Sequence, residues 1–390
     1  MLQALRCYMQ KTPFCPTEQN VDWVVFFREA WMQSVTLPLV EFLPVFQEKV
    51  PQPVFQVAEK QMRKLSVNNM QILFAQQNMT RCLDQAEIPY VILKGTASAA
   101  YWPNPELRQQ GDVDFIVPKD QLEQAALQLE AAGMTREQAA NDHHIGFRCN
   151  KIQLEMHNRL SGAPRGQRGE PVKRYMADLY SLRQTLPEDG TAVPADVHQA
   201  VILLLHTQHH LIEQGIGLRH VLDWAAFVQK TMDAPFWTQQ VLPLLQELKL
   251  LRFAAALTRM SADWFQIGCP QWAQEIPRAL SDALMEDVLA GGNFGRKNTA
   301  RSRSSNMLPS WEYRDQRDGK MKMLYKTLKR ATIVQNPKLE NQPVRRFFVM
   351  TGKVLRYVGL RCVGKRPSLM KAASYVDDRR SLYQQLEIYE

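Results

Sequence analysis

The sequence has no Cys-x-x-Cys pair, and its six cysteines (Cys7, Cys15, Cys82, Cys149, Cys269 and Cys362) lie far apart. That spacing argues against a disulfide frame or a zinc knuckle and predicts free, mostly buried thiols in a reducing compartment. No apolar run reaches the roughly 18 residues a membrane-spanning helix needs. The opening MLQALRCYMQKTPF lacks the apolar stretch and small-residue cleavage site of a secretory leader. The expected location is the cytoplasm, with attachment to the inner face of the membrane left open. Gly and Pro show no period, which excludes collagen-like and low-complexity chains. Walker A, GxGxxG and HExxH motifs are all missing, so a P-loop, a dinucleotide fingerprint and a zincin helix are excluded.

What is present is an ordinary globular composition, 45% hydrophobic and 22% charged, too apolar for a disordered chain and long enough for two or three packed units. The net charge of +9 is unevenly spread. Residues 1–292 are slightly acidic, whereas residues 293–390 carry 22 Lys and Arg against 8 Asp and Glu. Such asymmetry speaks of partners, not of fold. Four regions are expected: helices over 1–69, a mixed α/β unit over 70–165, a second helical region over 166–292 and a basic helical region over 293–390.

The α/β unit is read from changes of period. Helical spacing over Val21–Val35 and Val54–Met79 gives way at Ile88 to IPYVILKG, a buried strand entering a turn. TASAAYW reads as a short helix and Pro103–Gly111 as a polar loop. DVDFIVP alternates and stops at Pro118, so it is a second strand, and KDQLEQAALQLEAAG is a helix stopped by Gly133. HIGFRCN and KIQLEMHN form a hairpin that turns at Asn150-Lys151. Ser161–Glu170 reads as a linker, and Ala195–Ile212, Leu218–Met232 and Gln239–Phe265 read as helices. GGNFGRKN and RSRSS have the composition of a flexible hinge.

Asp112 and Asp114, two apart on a strand, share one face, where like charges need a cation between them. Glu155, on the later strand with Gln153 and His157, completes a carboxylate triad if the two strands are neighbours. Such a triad suits two Mg2+ ions that activate a hydroxyl and offset a triphosphate's charge. Lys94-Gly95-Thr96 leaves a strand and opens a helix, a place for phosphate. Gly95 admits close backbone approach, Thr96 offers a hydroxyl, and Lys94 or Arg108 adds positive charge.

The order strand, Lys-Gly-Thr, short helix, Asp-x-Asp and L-E-M-H resembles the DNA-polymerase-β-type nucleotidyltransferases. More closely, with GIGLRHVLDWA and LMEDVLAGGNFG, it resembles the bacterial uncharacterised nucleotidyltransferase family over about residues 70–300. The resemblance implies an α+β fold, a small mixed-sheet core embedded in a mostly helical chain. It implies metal binding and catalysis by Asp112, Asp114 and Glu155, and an NTP whose triphosphate is held by Gly95 and Thr96. Two departures stand out. Lys-Gly-Thr replaces Gly-Gly/Ser, and the long interval between Gly95 and Asp112 implies an inserted loop for the acceptor.

The remaining candidates are weaker. His157, facing with Glu155, and Arg219 with Asp223, four apart on one helix, are candidates for the acceptor site. Arg219 and Asp223 are equally suited to pair along that helix. His206, His209 and His210 share a helix face and fit packing or acceptor contacts better than zinc. Trp224 and Phe227 fit the core better than a base-stacking platform. The basic tail, including KTLKRATIV and RRFFVMTGKVLRYVGLRCVGKR, suits packing on the acidic body, an anionic membrane surface or an acidic partner, with nucleic acid less favoured. The alternative to an enzyme is a catalytically inactive, transferase-like binding protein that uses this tail for membrane or envelope-polymer assembly.

Overall fold

The computed structural model describes residues 1–16, 21–137, 144–164, 166–304, 339–362 and 369–388, with isolated residues between 325 and 336. Five strands form a mixed sheet: β1 (Val91–Ile92), β2 (Val113–Ile116), β3 (Thr135–Arg136), β4 (His144–Cys149) and β5 (Ile152–His157). Their order is β1-β2-β5-β4-β3. Only the β2–β5 pair is parallel; the others run antiparallel. This arrangement confirms the expected α+β class. A separate two-stranded ribbon joins β6 (Gln184–Thr185) to β7 (Ala192–Val193).

The two-residue period of the strands sorts their side chains. Val113, Phe115, Leu154, Met156 and Phe147 point to one face and share a core with Ile72, Met79 and Leu83 of the helix Gln52–Gln85 and Leu129 of the helix Leu122–Ala131. The opposite face carries Asp114, Glu155, His157 and His144 toward the helical part of the chain. The turn between β4 and β5 falls at Asn150, in the left-handed region with φ 55°, and Gly133 ends the preceding helix at φ 86°.

The helices behind the second face form the larger core. Asp22 caps the helix Trp23–Met32 by accepting from the Val25 N–H at 2.9 Å, and Phe26 and Phe27 of that helix join Phe46 in an edge-to-face cluster. Trp224 and Phe227 are fully buried on the helix Leu218–Lys230, as expected of core residues. The helix Leu2–Gln10, which lacks a side-chain cap, buries Ala4, Leu5, Tyr8 and Met9 against the helix Leu251–Phe265.

Four expectations need correction. None of the five described cysteines is buried; Cys15 is exposed and the others are intermediate. Gln239–Phe265 is not one helix. Pro243 cannot donate to the carbonyl four residues back, and a wide-turn helix over Phe236–Val241 precedes it. Lys249, at φ 59°, then breaks the chain before Leu251.

Ser161–Glu170 is no free linker over its described residues, because Gly162 (φ 81°) lies so close to the helix Asp196–Glu213 that a Cβ would sit 2.3 Å from the Leu205 carbonyl oxygen. The hinge at GGNFGRKN is packed as well. Asn293 is buried, and Arg301, 2% exposed, donates from Nε to Asp287 at 3.1 Å. Ser305, the end of RSRSS, lies outside the described residues.

The tail divides. The helix Leu369–Gln385 docks through Arg379, buried and donating to the Leu211 carbonyl at 2.7 Å, and through fully buried Tyr383. The helix Pro343–Cys362 turns a largely exposed side to solvent. KTLKRATIV lies partly outside the described residues.

Candidate active site

Parallel pairing of β2 with β5 sets Asp114 directly beside Glu155 and Ile116 beside His157. This is the neighbourhood that the acidic pattern required. β4, antiparallel on the other side of β5, places His144 opposite His157. β1 pairs with β2, and Leu93 just after it donates its N–H to the Asp114 carbonyl at 2.9 Å, so the next residue, Lys94, reaches the same spot.

Asp114 is the hub. It is 3% exposed, and its Oδ1 accepts from Lys94 Nζ at 2.8 Å and from His157 Nε2 at 2.7 Å. Burial by itself would raise its pKa, but the Lys94 charge and the His157 hydrogen bond outweigh that and hold the carboxyl well below its ordinary range. An ionised carboxylate only accepts, so His157 carries its proton on Nε2.

Glu155 is in the reverse situation. Its Oε2 lies 3.7 Å from His157 Nε2 and its Oε1 3.9 Å from His144 Nε2. Burial, then the charges of Asp114 and Asp112, push it up to about 7. Ligand atoms of Asp114, Glu155 and His157 all lie within 4.8 Å of one another.

Asp112 stands differently from the expected strand position. It falls on the bend before β2, is exposed, and lines the cleft from its wall. The Asp114 charge raises its pKa. His157 stands with Asp114 and Glu155 where their ligand atoms converge, and Asp112 faces the same cleft, close enough for its charge to act on Glu155.

The cleft, about 520 Å³, falls in the size range of small-ligand pockets, roughly 300–1,000 Å³. Its polarity is divided. The acids sit at the sheet, and Lys94, Arg108, Arg159 and Arg219 stand around them. Gly95 lines it with φ 64° and ψ −110°, a conformation that favours glycine, and a Cβ there would meet Gln110 Oε1 at 3.1 Å. Thr96 does not reach this cleft. Its hydroxyl donates to Gln76 Oε1 at 2.8 Å, and its side chain borders a different groove.

Asp223 does not pair with Arg219. It receives Arg108 through two bonds, Nε to Oδ1 at 2.7 Å and Nη2 to Oδ2 at 2.8 Å, and Trp102 Nε1 adds a third at 2.9 Å. Both members of this pair are at most 5% exposed. Nor is Pro103–Gly111 a free surface loop. Asn69 Nδ2 donates to the Arg108 carbonyl at 2.8 Å, and Asn69 Oδ1 accepts from the Gln110 N–H at 2.8 Å. Arg219 lines the cleft and donates from Nη1 to the Gln109 carbonyl at 3.1 Å, leaving Nε without a partner among the described residues. Burial pushes its pKa down to about 10.

Histidines complete the wall, and of these the sequence pattern singles out His206, His209 and His210. His206 Nδ1 accepts from Lys94 Nζ at 3.3 Å, and His210 and His220 lie near it with ring centres 5.7 Å apart and planes tilted by 54°. Burial holds all three well below the usual histidine pKa, so they are neutral. The i, i+4 spacing of His206 and His210 was a signal for this cluster. His220 on the next helix gave none. His144 is signalled only once the hairpin register is known.

The profile of a family described as "Uncharacterised nucleotidyltransferase" matches residues 19–266. The matched stretch starts earlier than the expected likeness, taking in the N-terminal helices from Trp23, and ends before LMEDVLAGGNFG. No curated protein and no solved structure matches the chain.

Proposed function

The chain belongs to the uncharacterised nucleotidyltransferase family, and from that premise we propose that this cleft moves a nucleoside monophosphate from an NTP to an acceptor hydroxyl, releasing pyrophosphate. The observation that carries the reading is the Asp114–Glu155 pair, set side by side on parallel strands with more negative charge than Lys94 answers locally. The Asp114 and Glu155 carboxylates, with ligand atoms within 4.8 Å of each other, offer the oxygen donors that a divalent cation of the Mg2+ type prefers. Asp112, Asp114 and Glu155 would hold such ions, with His157 fixing Asp114. When bound, Mg2+ supplies charge neutralisation on the triphosphate and on the leaving pyrophosphate.

The chain's own groups do the rest. Lys94 acts as a point charge toward phosphate oxygens, beside a glycine that lets phosphate approach the backbone. Arg219, whose Nε has no partner among the described residues, faces the same polyphosphate. Arg108, answered by Asp223, shapes the wall and contributes charge from behind. Thr96 holds the turn through Gln76 and so positions Gly95. The acceptor's O–H proton passes to a Glu155 oxygen as its oxygen bonds to the α-phosphorus. The bond from that phosphorus to the oxygen bridging the β-phosphate breaks.

The test is incubation with α-labelled ATP, Mg2+ and a cell extract as acceptor source. Wild-type protein labels a product, and Asp114→Asn, still folded by circular dichroism, labels none. Equal labelling by the variant would falsify the reading.

A further inference from the structure

The helix Pro343–Cys362 is built against the usual rule for surface helices. It has 20 residues. Five of them are basic (Arg345, Arg346, Lys353, Arg356 and Arg361) and none is acidic. At 3.6 residues per turn, Val344, Phe347, Phe348, Val354 and Leu355 fall on one side. That side should face a core, yet Val344 is 71%, Phe347 65%, Phe348 68% and Leu355 67% exposed.

The opposite side is the one fastened to the protein. Met350 is buried there, Arg346 donates to the Leu339 carbonyl at 3.2 Å and to the Glu340 carbonyl at 2.7 Å, and Lys353 reaches the Ala331 carbonyl at 3.4 Å. Gly352 and Gly359 give an independent view of the outward side: a Cβ added at either would meet nothing within 4 Å. Arg345 and Arg356, both exposed, border the apolar stripe along one edge.

We propose that this helix is a membrane-docking element that lies in the plane of an anionic phospholipid surface. Phe347, Phe348 and Leu355 would enter the boundary between headgroups and acyl chains, and Arg345 and Arg356 would meet lipid phosphates. The charge pattern selects this occupant. A second copy of the same helix would bring arginines against arginines, whereas an anionic bilayer offers both an apolar layer for the stripe and negative charge for its edge. Five basic residues spread along the helix make it lie on the surface instead of crossing. Among the described residues, no helix is long and apolar enough to span a membrane. The proposal does not rest on the nucleotidyl-transfer reading, since none of these residues borders the cleft.

The test uses the full chain in sedimentation with vesicles of phosphatidylcholine alone and of phosphatidylcholine mixed with phosphatidylglycerol. The expected results are binding at least about tenfold stronger to the mixed vesicles and weaker with added salt. F347E/F348E should lose binding to both kinds of vesicle, and R345E/R356E should lose only the preference for phosphatidylglycerol. All these side chains are exposed, so both variants should keep the wild-type melting temperature and nucleotide turnover. Equal partitioning to the two kinds of vesicle, or no loss in F347E/F348E, overturns the proposal. So would self-association or capture of an acidic polypeptide through this stripe, with vesicles left unbound.

Discussion

Two buried charge clusters lie on one cleft wall, and they differ in how fully each charge is answered. Arg108 and Asp223 form a closed pair: two parallel bonds, a Trp102 N–H on the same carboxylate, and Gln110 accepting from Arg108 Nη1 at 3.0 Å. Around Asp114 the account does not close. Lys94 and His157 both spend themselves on one oxygen, while Glu155 is pushed up to about 7 by burial and by its acidic neighbours. Residue types alone do not separate a structural salt bridge from a reactive site. The uncompensated charge does, because a buried cluster left out of balance is costly unless something else completes it.

That contrast is broken most severely at Asp114. Replacing it by Asn should lower nucleotidyl transfer by roughly 10²–10³-fold, as loss of a key electrostatic group does elsewhere. Thermal melting should show some loss of stability as well, since Lys94 and His157 lose a charged acceptor. Relief of the repulsion on Glu155 should keep that loss below the one at Asp223. Asp223→Ala should do the opposite. Leaving Arg108 buried and unpaired costs about 3–5 kcal/mol, read as a shifted urea midpoint, and any activity loss should follow the unfolded fraction. A variant that unfolds at Asp114 and stays stable at Asp223 would reverse the assignment.

A finer distinction comes from pH. Protons and a divalent cation compete for Glu155. With its pKa near 7, the carboxyl is mostly protonated at pH 6 and mostly ionised at pH 8. Affinity for Mn2+, followed by paramagnetic broadening, should therefore rise about tenfold across that interval and then level off. Glu155→Gln should bind weakly and without this slope. A flat profile in the wild type would place the cation elsewhere. The smallest expected effect is at Thr96. Thr96→Val removes one hydrogen bond to Gln76 and should cost about 1 kcal/mol of stability, with transfer reduced far less than by Lys94→Ala.

The sheet was legible because strand alternation is a local signal. Val113 and Phe115 had to face away from Asp114, and Pro118 had to end the strand. The meeting of Asp114 with Glu155 needed only one further assumption, that the two strands are neighbours. The pairing of Arg108 with Asp223 was not legible, since those residues are 115 positions apart and the local i, i+4 choice of Arg219 was chemically as good. Composition misled at Gly291–Gly295, where glycines that read as flexibility serve close packing: a Cβ on Gly291 would meet Arg301 Nη1 at 2.4 Å and one on Gly295 would meet Ser302 Cβ at 2.4 Å. It misled again at Pro103–Gly111, where polar residues read as surface are held by Asn69. The helix Leu2–Gln10 has no side-chain cap, but Ala4, Leu5, Tyr8 and Met9 recur at helical spacing and form the face it buries. Asp112 was placed on the strand because the ladder's first residue cannot be fixed from sequence.

The most direct test of the central claim is calorimetric titration of Mg2+ with a non-hydrolysable ATP analogue into the wild type, Asp114→Asn and Asp223→Asn. The account predicts joint binding of cation and nucleotide in the wild type, its loss in the Asp114 variant, and its retention in the folded fraction of the Asp223 variant. Binding of equal strength in wild type and Asp114→Asn would contradict it.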